Sequence, residues 1–138
     1  MGERVFGSCL CGEITYNFDR DDVVSAHHCH CRDCRKVTGS GKATIIKVPT
    51  EKIEFAGKPK IFVVTGTDGS RVARGFCAHC GSQLISYVEQ RPNLRFIKAG
   101  TLDDGSWIKI TSSLWTQSAQ SWSPIDPACP SFSGNRKR

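Results

Sequence analysis

The sequence predicts a mainly β protein whose sheets are stapled by zinc, with at most one or two short helical turns. Three observations carry this. Apolar residues alternate with polar ones in short runs divided by glycine, proline and aspartate, which is the period of half-buried strands. No segment sustains a helical period over three turns. Seven of the eight cysteines fall in tight clusters: Cys9 with Cys11, Cys29 with Cys31 and Cys34, and Cys77 with Cys80.

In chain order, Ile14, Tyr16 and Phe18 alternate with Thr15 and Asn17 and read as the first strand with one buried face. Further strands are expected at 43–48, 53–55, 61–65, 71–76, 83–88, 94–99 and 107–111. Asp68-Gly69 and Asp104-Gly105 lie between such runs, and Asp-Gly is a favoured hairpin turn because both positions tolerate positive φ. Pro49 and Gly57-Lys58-Pro59 break the chain in the same way. The best place for a helix is 32–38, stopped by Gly39, after which Gly39-Ser40-Gly41 reads as a flexible lip beside the cysteine triplet. Residues 112–132 are the least regular. There Leu114, Trp115, Trp122 and Phe132 are interleaved with serine, glutamine and three prolines, as expected of an extended segment pinned by its aromatics.

At 138 residues the chain suits a single domain, with a core over about 5–132 and a basic tail at 133–138 that ends in Arg136-Lys137-Arg138. Hydrophobic content of 38% and charged content of 23% fit a globular protein, and no apolar run approaches the roughly 20 residues of a membrane helix. The opening Met1-Gly2-Glu3-Arg4-Val5-Phe6 has no signal-peptide character, so the expected compartment is the cytoplasm. Thiols stay reduced there, and eight cysteines at one- and two-residue spacings read as metal ligands rather than disulfides. The formal charge of +6 counts every cysteine as neutral. Seven zinc-bound thiolates and two divalent ions would bring the sum to about +3, most of it in the tail. A nearly neutral body argues against nucleic acid as a partner, because nucleic-acid binding wants basic residues clustered on one face.

Cys77-Ala78-His79-Cys80-Gly81-Ser82 has the form of a zinc knuckle, and Cys9-Leu10-Cys11-Gly12 is the complementary half. One intervening residue places the Cys9 and Cys11 side chains on one face of an extended segment. Four thiolates close a structural zinc site, whereas three leave a position open to water or substrate. The triplet is three: Cys29 and Cys31 share a face by the same strand rule, and Cys34 joins them if the chain turns at Arg32-Asp33. A different pairing, Cys31 and Cys34 with Cys77 and Cys80, would leave one zinc and spare thiols. Local clusters close shorter loops and so cost less entropy to gather, which favours four plus three.

His30 lies between two ligand positions and on extended backbone points away from the metal; His79 is expected to be exposed. His27 and His28 flank the triplet and could accept a proton or steady a ligand. Arg32, Arg35 and Lys36 could attract an anionic thiol or simply form a solvated surface. Cys129 reads as a half-buried thiol, able to reach the triplet only if the tail folds back over it.

The runs Gly7-Ser8-Cys9-Leu10-Cys11-Gly12, His28-Cys29-His30-Cys31-Arg32-Asp33-Cys34-Arg35 and Gly75-Phe76-Cys77-Ala78-His79-Cys80-Gly81-Ser82, and more loosely Ala99-Gly100-Thr101-Leu102-Asp103, resemble the glutathione-dependent formaldehyde-activating enzymes, grouped with centromere protein V. The resemblance spans residues 7 to about 132. It implies antiparallel sheets of the β-tent type, a structural zinc on Cys9, Cys11, Cys77 and Cys80, and a second, labile zinc on Cys29, Cys31 and Cys34, where glutathione acts. The implied reaction joins formaldehyde to glutathione as S-hydroxymethylglutathione and is classed as a carbon-sulfur lyase in reverse.

Two other classes of function remain open at this level. One is a non-catalytic zinc-stapled module that binds a protein or nucleic acid. The other is a redox or metal-buffering role, in which the triplet oxidises while the other four cysteines stay protected. The open triplet suggests a small thiol as partner and the resemblance implies an aldehyde beside it; the sequence predicts no membrane association and leaves the oligomeric state open.

Overall fold

A computed structural model describes residues 2–135; Arg136, Lys137 and Arg138 of the expected basic tail lie outside the described residues. Among these, the elements in chain order are β1 (Arg4–Ser8), β2 (Thr15–Asp19), β3 (Ser25–Cys29), α1 (Arg32–Thr38), β4 (Ala43–Pro49), β5 (Glu54–Ala56), β6 (Lys60–Thr65), β7 (Arg71–Phe76), β8 (Gln83–Val88), β9 (Leu94–Lys98) and β10 (Ser112–Leu114), with a few 3-10 turns. The protein is mostly β, with two sheets and one α-helix. No described helix is long and apolar enough to cross a membrane.

Contacts divide the chain into two compact units, the first running to Val24 and resuming over Ile46–Trp107. In it β1 and β2 form an antiparallel hairpin in which Val5 faces Phe18 and Gly7 faces Tyr16, and β5 pairs with the far side of β2. The alternation read at residues 14–18 is borne out, with Ile14, Tyr16 and Phe18 all buried. The second run of strands, β6 to β9, is an antiparallel meander with β6 at its edge. The Asp68-Gly69 turn joins β6 to β7, with Gly69 N–H donating to the Gly66 carbonyl at 3.1 Å. Phe18, Ile46, Val48, Leu84 and Ile97 have essentially no exposure and form this unit's core.

The second unit comprises Ser25–Ile45 and the chain from Ile108 on. Here β10 lies parallel to β3, with Ser113 opposite His28 and Leu114 opposite Cys29. Helix α1 runs over the predicted residues and ends at Gly39, whose φ of 71° is the left-handed conformation that a helix terminus readily gives to glycine.

Three sequence expectations are corrected. Residues 107–111 form no strand, because Asp104 turns the chain instead: its carboxylate accepts the Ser106 amide at 2.9 Å and its carbonyl accepts the Trp107 indole N–H at 2.8 Å. The irregular segment 112–132 contains a short strand, β10, which forms because β3 offers it a parallel edge. Gly41 is no free lip. It is buried, and a Cβ there would fall 2.2 Å from Ser123 Cβ, so this end of the loop is packed against the returning tail while Gly39 and Ser40 stay exposed.

Candidate metal centres

In the first unit, β1 ends at Ser8 and the chain turns at once. The Gly12 amide donates to the Cys9 carbonyl at 3.1 Å, and the Cys9 amide donates to the Ile14 carbonyl at 3.0 Å. Cys9 and Cys11 therefore meet through a turn, not through the strand alternation expected of them. The second pair sits between β7 and β8, where the Cys77 amide donates to Ser82 and the Gly81 amide returns to Cys77 at 2.8 Å. That return needs the positive φ of 81° at Gly81, which a side chain would strain.

The four sulfurs lie within 4.8 Å of one another, with Cys9 to Cys11 at 3.6 Å and Cys11 to Cys77 at 3.8 Å. A tetrahedron with metal–sulfur bonds of about 2.3 Å has edges of about 3.8 Å, so the donor set and its spacing fit a zinc ion. The cluster joins the β1–β2 and β7–β8 hairpins, 66 residues apart from Cys11 to Cys77. The Ile14 amide donates to Cys9 Sγ at 3.3 Å. Ser82, which the sequence reading passed over, accepts the Leu10 amide at 2.9 Å and places its hydroxyl 3.2 Å from Cys80 Sγ. It thereby ties one knuckle to the other. The following serine in Cys80-Gly81-Ser82 was the available signal.

The thiols of this cluster compete for charge. Hydrogen bonds from the Ser82 hydroxyl and amide bring Cys80 down to about 5, and the Ile14 amide lowers Cys9. At Cys11 a backbone hydrogen bond at Glu13 acts downward, but burial and the neighbouring sulfurs prevail and push the thiol up to about 12. Four sulfurs this close cannot all ionise without a cation among them.

The triplet lies in the second unit and is carried by a strand end and a helix start. Cys29 is the last residue of β3, Cys31 is the N-cap of α1, and Cys34 lies in its first turn. The Cys34 amide donates to Cys31 Sγ at 3.2 Å, and the three sulfurs lie within 4.8 Å of one another. Cys29 and Cys34 are buried and Cys31 is half-buried. Hydrogen bonding to Cys31 and Cys34, with burial, pushes the Cys29 thiol far above its ordinary value. Three soft donors converging on one point also fit zinc, with one position of a tetrahedron left over. Each of the two clusters could thus hold a metal ion.

The sequence reading placed the interest at the sulfurs; the structure adds the nitrogens around them. His30 is fully buried, with its backbone amide donating to the Leu114 carbonyl at 3.0 Å and neither ring nitrogen hydrogen-bonded. His28 Nδ1 and Arg35 Nε are likewise buried without a partner. The two imidazoles meet edge to face at 6.5 Å. Burial first, then the nearby Lys42 charge, lowers both below the ordinary histidine range. Arg32 pairs with Asp33 at 3.3 Å on the surface, so of the basic trio Arg35 is the member turned inward. His79 is exposed, as expected. The tail does fold back, forming a bridge from Ser131 to Ser113, yet Cys129 Sγ lies against Ser113 Oγ at 3.8 Å and the Asp126 carbonyl at 3.9 Å and stays out of the triplet.

Residues 4–118 match the family described as "Glutathione-dependent formaldehyde-activating enzyme". A Talaromyces marneffei protein named "Putative glutathione-dependent formaldehyde-activating enzyme" is 22% identical over 109 residues, which are 77% of this chain and 57% of the relative. The chain thus spans less than two thirds of that relative's length. A crystal structure of a Rhodobacter sphaeroides protein matches with a TM-score of 0.56 at 14% identity, covering 91% of this chain and 98% of the other, a likeness of fold.

Proposed function

The chain belongs to the glutathione-dependent formaldehyde-activating enzyme family, and from that premise we propose that it is a zinc-dependent enzyme of carbon–sulfur bond chemistry, joining a small thiol such as glutathione to an aldehyde such as formaldehyde. Cys9, Cys11, Cys77 and Cys80 hold a structural zinc; Cys29, Cys31 and Cys34 hold a second, more labile one. A zinc held by three thiolates offers its remaining position to a substrate sulfur and lowers the pKa of what it binds.

The observation that carries this reading is the distribution of orphaned groups. Of the five buried side-chain nitrogens without a partner, four belong to His28, His30 and Arg35, around the open cysteine triplet. Buried polar groups are hydrogen-bonded in nearly all proteins, so a cluster of exceptions on residues adjoining the three cysteines supports a polar ligand docking there. Arg35 is the group suited to a carboxylate of the thiol substrate, because its planar fork matches two oxygens. The rings of half-buried His28 and fully buried His30, whose neutral form burial favours, each offer in that form one N–H and one lone pair.

In the reaction, the substrate sulfur forms a bond to the aldehyde carbon, the C=O π bond breaks, and the thiol proton ends on the new hydroxyl. This reading assigns the imidazole N–H groups of His28 and His30 to the oxygen on which charge develops, the contribution expected of fixed donors in a dry site. The Cys34 amide fixes the Cys31 sulfur in place, so the triplet needs little rearrangement.

The test is zinc content and thiol-dependent aldehyde consumption in the native protein and in Cys31→Ser. Native protein is expected to hold up to two zinc ions per chain and to consume formaldehyde only with a thiol present. Cys31→Ser should keep one zinc and lose turnover. Turnover that survives in Cys31→Ser sinks the reading.

A further inference from the structure

The fifth orphaned nitrogen lies elsewhere, on the meander of the first unit. Arg74 sits in the middle of β7 and is only 7% exposed, yet its Nε has no partner, and no ion pair or hydrogen bond reaches its side chain among the described residues. Arginine cannot shed its proton to escape burial, so its charge remains. Taking such a charge out of water is costly unless an anion meets it.

The register defines what surrounds it. Phe62 of β6, Arg74 of β7, Ser86 of β8 and Phe96 of β9 are direct cross-strand neighbours in one row, and so share one face of the sheet. Lys98, two residues beyond Phe96 on the same strand, adds a second buried cation to that face, and Lys47 Nζ stands 5.7 Å from the Phe96 ring centre. No acidic residue is among those that β6 to β9 turn to this side. The row opens to solvent at its edge strand, where Phe62 is 62% exposed.

We propose that Arg74 anchors an oxyanion site on this face, taking a carboxylate or a phosphate in the guanidinium fork, with Ser86 beside it and Phe62 as an apolar wall at the entrance. The site belongs to the first unit, whereas the cysteine triplet belongs to the second, and it does not depend on the reading of the triplet as catalytic. Its ligand is an organic anion whose head needs two oxygens and whose body tolerates an aromatic neighbour. A guanidinium whose Nε is buried and which lacks an internal counter-ion binds such a head more strongly than a lysine would.

The test is a titration of the full chain, uniformly labelled with nitrogen-15, following the Arg74 Nε–H signal assigned through bonds in the native protein. Acetate, phenylacetate and inorganic phosphate are added separately at ionic strength held constant with sodium chloride. A shift that saturates with one of these anions supports the site. The tighter of acetate and phosphate identifies the head group, and a tighter phenylacetate than acetate places the body on Phe62. Arg74→Lys, which keeps the charge and loses the fork, should weaken the binding at least tenfold, read as the anion-dependent rise in melting temperature. A drift of the Arg74 signal that chloride reproduces, or no shift with any of the three anions, overturns the proposal, and neither outcome requires the variant to fold.

Discussion

The amide of Cys34 donates to the sulfur of Cys31 at 3.2 Å, so one candidate ligand caps the helix that carries another. The two roles can be separated. Serine is among the best N-cap residues, whereas alanine cannot accept the bond, and losing a cap costs about 1 kcal/mol. Cys31→Ser should therefore keep helix α1 as stable as in the native protein while losing the soft donor; Cys31→Ala should lose both. Urea denaturation of the two variants in the presence of a mild chelator, which empties the triplet and leaves the four-cysteine cluster loaded, is expected to place Cys31→Ala about 1 kcal/mol below Cys31→Ser. Equal stabilities would show that the cap contributes nothing.

His30 offers a second separation. A fully buried imidazole with both nitrogens unpartnered weakens the fold by the desolvation left uncompensated, on the order of 1–3 kcal/mol. Replacing it with an apolar residue of similar volume removes that cost. His30→Leu should unfold at the same urea concentration as the native protein or higher, while thiol-dependent turnover falls at least tenfold. A variant that keeps full turnover would remove His30 from the substrate's contacts.

Metal removal should proceed in two steps. The four-cysteine cluster ties together hairpins 66 residues apart in sequence, so its ion contributes folding free energy, on the order of 10 kcal/mol or more for a structural zinc. The triplet gathers its donors within a six-residue stretch that the helix already organises. A mild chelator should strip one zinc with the circular dichroism unchanged; a strong one should strip the second and unfold the first unit. Simultaneous loss of both ions would contradict the division into structural and labile sites.

What was legible in the sequence was local. Strand alternation at residues 14–18, the 32–38 helix stopped by Gly39, and the pairs and triplet from which the four-plus-three grouping of cysteines is built all rest on spacings of a few residues, and the chain keeps them. The misses were non-local. Strand β10 exists because β3 offers it a parallel edge, a partnership about 85 residues apart in sequence that its Ser-Ser-Leu composition does not announce. Gly41 looked mobile because glycine permits motion; its burial comes from Ser123 and Trp122, which only the folded tail brings there. The nitrogens of His28, His30 and Arg35 were visible as residues flanking the triplet. That they lack partners is a property of packing, which spacing alone does not encode.

Tyr16 links the β1–β2 hairpin to residue 101 and gives the fold an alkaline limit. Its hydroxyl lies 2.6 Å from Thr101 Oγ1, and its ring stacks along Phe18 at 6.2 Å between centroids. Burial, only partly offset by the Thr101 hydrogen bond, pushes the phenol up to about 12 from the usual 10. The ionised form is thus disfavoured in the folded state, and the raised value fixes the sign. The contribution of Tyr16 is fully present below pH 10, where the phenol is neutral in both states, and is lost as pH rises from 10 through 12. Two pKa units correspond to about 2–3 kcal/mol. Urea midpoints measured across this range should fall in the native protein, and the fall should be shallower in Tyr16→Phe, which keeps the ring and removes the titrating group. An absorbance titration at 295 nm should show the same phenol ionising late, together with unfolding. A Tyr16 that ionises near pH 10 without loss of structure would mean that the hydroxyl is reached by water and that the contact with Thr101 is not what closes this part of the core.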